Sequence, residues 1–162
     1  MFAFPPTFIL RHRKENLKKC SLRGLETRED LRFFTYPRES LPDCSGYILL
    51  AMGAPPLTRQ DQGRGLLVLD GTWRYAELMH RQLTSRPEIR SIPDGFVTAY
   101  PRRQDECQDP TKGLATVEAL FIAYSILGRN TEGLLDGYYW GDKFIEFNEK
   151  AFRDLGIGGP TK

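Results

Sequence analysis

An acidic residue stands directly after a continuous hydrophobic run near the middle of the chain. Residues 66–69 are Leu, Leu, Val and Leu, and Asp70, Gly71, Thr72 and Trp73 follow them. Such a run is typical of a buried strand, and open α/β sheets bind ligands at the carboxyl ends of their strands. Asp70 is therefore a candidate to orient a cationic ligand or to accept a proton. Asp70 or Thr72 could equally cap the helix that begins here, and the sequence leaves both interpretations open.

A second polar segment, residues 113–119, leads into a hydrophobic stretch that stops at Gly128. Backbone N–H groups at the start of a helix, together with the Thr116 hydroxyl, could hold a carboxylate, although ordinary N-capping would explain the same residues. Glu118 would lie on an otherwise apolar helix, so it needs hydrogen-bond partners if it is buried. We therefore expect Glu118 to belong to a structural network before we expect it to act in catalysis.

The remaining reactive residues exclude several classes of function. His12 and His80 have no partners at metal-ligand spacing, and the three cysteines, Cys20, Cys44 and Cys107, form no CxxC pair. We expect no metal site and no disulfide framework. The sequence also lacks P-loop, GxGxxG, GxSxG and HExxH motifs, which disfavours the common nucleotide hydrolases and serine hydrolases.

The elements that would position these residues alternate between strands and helices. Short hydrophobic or β-branched runs between turn residues predict strands at residues 7–10, 31–36, 46–50, 65–69 and 95–100. Helices are predicted from just after Asp70 to before Pro87, over residues 116–127, and in an aromatic-rich region over residues 131–155. Strands that are hydrophobic throughout indicate a parallel sheet with helices on both faces, in a single α/β domain spanning residues 1–162.

Composition and charge fit an ordinary globular protein. Of the 162 residues, 40% are hydrophobic and 27% are charged, and a chain of this length fits one domain. The longest hydrophobic run, residues 47–52, is far shorter than the roughly 20 residues that cross a bilayer, so we expect a cytoplasmic protein. The net charge is only +2, but basic residues are concentrated between residues 11 and 32. They could form a face that binds RNA phosphates, or an ordinary solvated surface.

Four segments follow the order of motifs found in one enzyme family. Residues 18–21 (Lys-Lys-Cys-Ser) are similar to its N-terminal motif, with Leu17 in place of a proline, and residues 69–73 are similar to its Asp-x-Ser/Thr-Trp motif. Residues 116–120 match its helix entry, with Ala115 where a hydroxyl residue is usual, and residues 140–148 match its closing W-G-x-x-F-x-x-x-N pattern. The chain thus resembles the small-subunit rRNA aminocarboxypropyltransferases and, more distantly, the DTW-domain tRNA-uridine aminocarboxypropyltransferases, which do not share the closing pattern.

The resemblance implies a SPOUT-like α/β sheet with a C-terminal trefoil knot, and S-adenosylmethionine as the donor of a 3-amino-3-carboxypropyl group. By analogy, Asp70 would be the catalytic residue, with electrostatic orientation of the donor preferred over a role as base. The donor would be bound by Ser21, Leu50, Ala51, Met52, Trp73, Ala76, Tyr100 and Thr116. RNA would be bound by Arg11, Arg13, Lys14, Lys18, Lys19, Arg102 and Arg103. The resemblance further implies a monomer that requires neither a metal nor a membrane.

The identity of the RNA stays open at this point. Residues 99–109 depart from the rRNA family pattern and are closer to that of the tRNA branch. We favour small-subunit ribosomal RNA as the acceptor, with a tRNA uridine as the alternative. Two further alternatives are methyl transfer by a SPOUT enzyme and a non-catalytic RNA-binding factor in ribosome assembly that has kept the fold.

Overall fold

A computed structural model of the chain describes residues 4–18, 20–101 and 113–157. The strands are β1 (Thr7–His12), β2 (Leu31–Tyr36), β3 (Tyr47–Leu50), β4 (Gly65–Asp70) and β5 (Glu88–Arg90). The helices are α1 (Trp73–Arg81), α2 (Thr116–Leu127), α3 (Gly141–Phe147) and α4 (Glu149–Asp154). Within the described ranges, no helix combines the length and the hydrophobicity needed to span a membrane.

The strands form one parallel sheet, as the hydrophobic runs predicted. Its order is β2-β1-β4-β3-β5, and every pairing is parallel. The two neighbouring inner strands β1 and β4 end at the same edge, where Arg11 is the register partner of Asp70. Residues of these two strands are almost all buried, so the polar residues at their carboxyl ends are drawn into the interior of the protein.

Helices cover both faces of the sheet, which confirms the layered arrangement expected from the sequence. Alternate side chains of a strand point to opposite faces, so Ile9 and Val68 pack into the cluster that contains α2. Leu10 and Leu67 pack with Met79 of α1 on the other face. Helix α2 is hydrophobic all round and buried along most of its length, because core packs against it on more than one side.

The prediction of a strand over residues 95–100 is wrong, since this segment is a loop. The edge of the sheet next to β3 is taken by β5 instead. Strand β5 could not be predicted from hydrophobicity because Ile89 is its only apolar residue. Within the loop, the backbone N–H of Val97 bonds to the Asn148 side chain and that of Ala99 bonds to Glu118. These side chains take the place of a neighbouring strand.

The C-terminal region is less helical than predicted, because it consists of turns followed by the two short helices α3 and α4. Asn148 separates these helices and leaves helical geometry, with φ −114°. Its side-chain amide exchanges two hydrogen bonds with the backbone of Val97 and donates a third to the Phe144 carbonyl. Asn148, the last residue of the W-G-x-x-F-x-x-x-N pattern, therefore holds the loop at residues 95–100 against α3 and α4.

Candidate active site

Asp70 is the last residue of β4 and is only 3% exposed. Its Oδ2 accepts hydrogen bonds from Arg11 Nε at 3.1 Å and from the Cys20 thiol at 3.2 Å. Its Oδ1 accepts one from the Thr116 hydroxyl at 3.0 Å. Thr72 at the N-cap of α1 makes no side-chain capping bond. The carboxylate therefore organises a buried polar cluster, and helix capping does not explain these residues.

Arg11 belongs to this cluster and not to an exposed basic face, contrary to the expectation from the sequence. It lies two residues after Ile9 on β1, so its side chain points to the same buried face of the sheet. Its guanidinium carbon lies 4.7 Å from the centre of the Phe33 ring. Burial disfavours its charge, but Cys20 in its ionised form, together with the hydrogen bond and negative charge of Asp70, more than offsets that effect, and the pKa of Arg11 is raised. Arg11 and Asp70 form a buried ion pair.

Cys20 is a thiol in this environment and not a thiolate. Burial, assisted by the negative charge of Asp70, raises its pKa to about 12. Glu15, Cys20 and Asp70 each offer a ligand atom within 4.8 Å of the others. The Asp70 oxygen that faces Cys20 is already bound by the guanidinium of Arg11, and a protonated thiol beside a fixed cation is a poor metal ligand. We assign no metal to this cluster.

The N-terminus of α2 borders Asp70 and is capped from a distant segment. Ala115, at the N-cap position, has no side chain that could accept a hydrogen bond. The Ser21 hydroxyl, which follows β1 by nine residues, accepts the backbone N–H of Val117 at 3.1 Å instead. The Ser21 hydroxyl accepts in this bond and can still donate its own proton, and its place at the positive end of a helix dipole suits a carboxylate ligand. The Thr116 hydroxyl lies at the same helix end but donates to Asp70.

Glu118 is completely buried and accepts four hydrogen bonds, which confirms the expected structural network. Oε1 accepts the Thr98 hydroxyl and the Ala115 N–H, each at 2.7 Å. Oε2 accepts the Ala99 N–H and the Tyr138 hydroxyl, each at 2.9 Å. One carboxylate therefore holds together the loop before residue 100, the start of α2 and the turn before α3, and the start of α2 contacts Asp70 through Thr116.

The opposite face of the same sheet edge carries an aromatic pair. His12 follows Arg11 on β1 and points to the α1 side, where its ring stacks on Tyr75 with centroids 3.8 Å apart and planes 6° apart. His12 Nδ1 accepts the backbone N–H of Lys14 at 3.1 Å. Burial and the positive charges of Arg13 and Lys14 lower the pKa of His12. The imidazole is therefore neutral at physiological pH, and sequence analysis assigned it no task.

A cavity of about 250 Å³ opens where these two faces meet. Its wall draws on the segment after β1, the β4–α1 turn, the loop ending at Tyr100 and the start of α2. The lining residues are Lys14, Glu15, Asn16, Ser21, Asp70, Gly71, Thr72, Tyr75, Tyr100, Ala115 and Thr116. Asp70 and Tyr75, from opposite faces of the sheet edge, therefore meet in one space.

Three of the eight residues expected to bind the donor line this cavity: Ser21, Tyr100 and Thr116. The other five, Leu50, Ala51, Met52, Trp73 and Ala76, are not among its lining residues. Residues 50–52 leave β3 at the same edge of the sheet as Asp70, because Leu49 pairs with Leu67. Met52 is 67% exposed. These five residues thus lie near the same edge without forming the wall of the cavity.

The expected RNA-binding residues separate into three groups. Arg13, Lys14 and Lys18 are exposed, and Lys14 also lines the cavity. Arg11 is buried, as described above. Lys19, Arg102 and Arg103 lie outside the described residues. Cys20, Asn16 and Tyr75 were not predicted as site residues, although Cys20 precedes Ser21 within the N-terminal motif.

Comparison with solved structures gives one extensive match. The chain is similar to the structure of the SAM-dependent rRNA:acp-transferase Tsr3 from Vulcanisaeta distributa, with a TM-score of 0.72 and 27% sequence identity. The match confirms the resemblance to the rRNA aminocarboxypropyltransferases. It covers 94% of this chain and 83% of that one, so the similarity extends over most of both chains. No family model matches the chain, and no curated protein does.

Proposed function

We propose that this protein is an enzyme that transfers the 3-amino-3-carboxypropyl group of S-adenosylmethionine to a uridine or pseudouridine of small-subunit ribosomal RNA. The observation that carries the proposal is the buried Asp70 in a cavity whose wall also contains Ser21, Thr116 and the start of α2. The similar protein Tsr3 is described as a SAM-dependent rRNA:acp-transferase. An anionic group and an anion-binding helix end, side by side, match a donor that carries both a sulfonium and a carboxylate.

The chain offers a partner for each part of the donor. Ser21 and Thr116 at the N-terminus of α2 suit its carboxylate, and Asp70 suits its positive charge. Leu50, Ala51 and Met52 would cover the adenine, and Trp73, Ala76 and Tyr100 would pack around the methionine portion. The aromatic face of Trp73 suits a sulfonium. This arrangement would aim the γ-carbon of the amino-acid arm, and not the methyl group, toward the RNA.

Asp70 acts in this proposal by orienting the donor and not as the base. Both of its oxygens already accept hydrogen bonds, and Arg11 holds it in an ion pair. During transfer, a ring nitrogen of the base bonds to the γ-carbon, the carbon–sulfur bond breaks, its electrons remain on sulfur, and the nitrogen releases its proton to solvent water. The positive charge on sulfur disappears in that step, so a nearby carboxylate stabilises the bound donor more than the transition state.

Asp70→Asn tests this assignment. We expect it to raise the dissociation constant of the donor at least tenfold and to change the single-turnover rate at saturating donor much less. If Asp70 were the base, the variant would keep its affinity for the donor and lose the single-turnover rate.

The proposed activity is tested by incubating the protein with total RNA and S-adenosylmethionine labelled in its carboxyl carbon. Transfer of the amino-acid arm moves the label into RNA and releases methylthioadenosine, whereas methyl transfer leaves the RNA unlabelled and releases S-adenosylhomocysteine. Label in small-subunit rRNA supports the proposal, and label in tRNA supports the alternative suggested by residues 99–109. Donor binding by calorimetry without labelling of any RNA would refute transfer.

We further propose that the region around Glu118 forms a SPOUT-type trefoil knot and that the protein acts as a cytoplasmic monomer in ribosome biogenesis. Support for the knot is that one carboxylate joins the loop at residues 98–99, the start of α2 and Tyr138. An experimental chain trace tests the knot, light scattering tests the monomer, and imaging of a tagged protein tests the location.

We also propose that Arg13, Lys14 and Lys18, with Lys19, Arg102 and Arg103, bind the RNA phosphates. The described members of this group are exposed. Charge reversal at Lys18 should weaken RNA binding and leave donor binding unchanged, because phosphate contacts are made by exposed cations. Equal losses of both affinities in separate titrations would refute the assignment.

A further inference from the structure

We propose that Tyr75, supported from behind by His12, is the stacking platform for the acceptor base. In this arrangement the pyrimidine ring that receives the amino-acid arm lies in the cavity against Tyr75. The inference rests on the proposed function and names the acceptor subsite of the same cavity. It concerns residues that neither the sequence motifs nor the donor-binding assignments used.

The Tyr75 ring is held in place before any ligand arrives. His12 stacks on it in nearly parallel planes, and His12 is itself buried, with 6% of its surface exposed. The hydrogen bond from the Lys14 N–H to Nδ1 fixes the orientation of the imidazole. A planar ligand therefore meets an aromatic surface whose ordering cost has already been met in folding, which favours affinity.

The location of Tyr75 is suited to an acceptor that must reach the donor. Tyr75 lies in the first turn of α1 and shares the cavity wall with Asp70, Thr72 and Thr116. Gly71 permits its close approach to the β4–α1 turn, because a Cβ at that position would lie 3.1 Å from the Tyr75 Cβ. His12 covers one side of the ring, and the part left uncovered contributes to the cavity.

Two further lining residues complete the chemistry of a nucleotide subsite. The Asn16 side-chain oxygen accepts the Lys18 N–H at 3.0 Å, which leaves its NH₂ group to donate to a uracil carbonyl. Lys14 is exposed at the same cavity and suits a phosphate. Stacking, edge recognition by an amide and phosphate contact by a cation are how proteins recognise unpaired RNA bases. The target base must therefore be unpaired or flipped out of a helix.

The test compares Tyr75→Leu, which removes the aromatic face, with Tyr75→Phe, which keeps it. Tyr139→Leu is the matched control, because Tyr139 is 86% exposed and does not line the cavity. At saturating donor, Tyr75→Leu should raise the RNA concentration for half-maximal transfer by roughly tenfold to a hundredfold. In Tyr75→Phe the RNA concentration for half-maximal transfer should stay within about threefold of the wild type, because the aromatic face is kept. The donor dissociation constant should change by less than about twofold in both variants, because Tyr75 is not among the residues proposed to bind the donor.

A second measurement uses the wild-type protein and so does not depend on the folding of a variant. RNA carrying 5,6-dihydrouridine at the labelled position, whose ring is not planar and cannot stack, should bind about tenfold or more weakly than the uridine RNA. The inference would be overturned if the two RNAs bound equally well, or if Tyr75→Leu needed the same RNA concentration as the wild type for half-maximal transfer. In either case, transfer by the wild type would still support the proposed function. Loss of donor affinity in Tyr75→Leu would also overturn it, and absence of transfer by the wild type would overturn both.

Discussion

Removing the positive partner of the buried ion pair is the most direct test of how the site is built. In Arg11→Met the Asp70 carboxylate keeps the hydrogen bonds from Cys20 and Thr116 but loses its counterion. Two unit charges 3.1 Å apart attract each other by about 5 kcal/mol at an effective dielectric constant of about 20. Breaking a buried pair by removing one partner typically costs about 3–5 kcal/mol, and the two remaining donors place Arg11→Met near the lower end.

The loss is measured by thermal and urea unfolding. About 3 kcal/mol in a domain of this size lowers the melting temperature by about 10 °C. Arg13→Met serves as the control, because Arg13 is an exposed neighbour and should change stability by no more than about 0.5 kcal/mol. The double variant Arg11→Met with Asp70→Asn should recover part of the loss, because no unpaired charge is left buried. A loss below about 1 kcal/mol in the single variant, or strictly additive losses in the double one, would contradict the buried-pair account.

Three further predictions concern the surroundings of the pair. Tyr138→Phe removes one donor from the buried Glu118 carboxylate and should cost about 2 kcal/mol in urea unfolding, whereas Tyr139→Phe at the exposed neighbour should cost nothing measurable. Ser21→Ala removes the cap of α2 supplied from a distant segment and should cost about 1 kcal/mol, with weaker donor binding in calorimetry. Because the pKa of Cys20 is raised from 9.0 to about 12, the unfolded chain loses this proton first, so the free energy of unfolding should fall between pH 9 and pH 12. Cys20→Ala should make this fall less steep, and an equally steep fall in the variant would contradict the prediction.

The sequence predicted the layers of the fold where hydrophobicity carried the information. Strands β1 to β4, α1 and α2 are continuous or periodic runs, and their types follow from that pattern. The edge strand was predicted at residues 95–100, but it is β5, and residues 95–100 form a loop. The prediction failed because pairing at the edge of a sheet is decided by tertiary contacts. Glu88 and Arg90 have little strand signal, while the N–H groups of Val97 and Ala99 are bound by side chains that are distant in sequence.

The residues at the centre of the site were predicted from the sequence, but the location of Arg11 was predicted wrongly. The motifs led to Asp70, Ser21, Tyr100 and Thr116, all of which line the cavity. Arg11 was placed on a basic surface because cations are concentrated in that part of the chain. Alternation along β1 would have signalled otherwise, since Arg11 continues the inward face of Ile9 and requires a buried counterion, which Asp70 supplies. His12 and Tyr75 carried no comparable signal, because their contact depends on the parallel register of β1 and β4.

That register also explains how one site can serve two substrates. Arg11 and His12 are adjacent at the end of β1, and strand geometry sends their side chains to opposite faces of the sheet. Arg11 supports Asp70 beside the start of α2, where the charged groups of the donor are proposed to bind, and His12 supports Tyr75 on the face covered by α1. In this proposal, Asp70 and Tyr75 are both positioned by residues at the end of one buried strand. Fixing the relative positions of the two substrates in this way is an effective means of choosing which carbon of the donor is attacked.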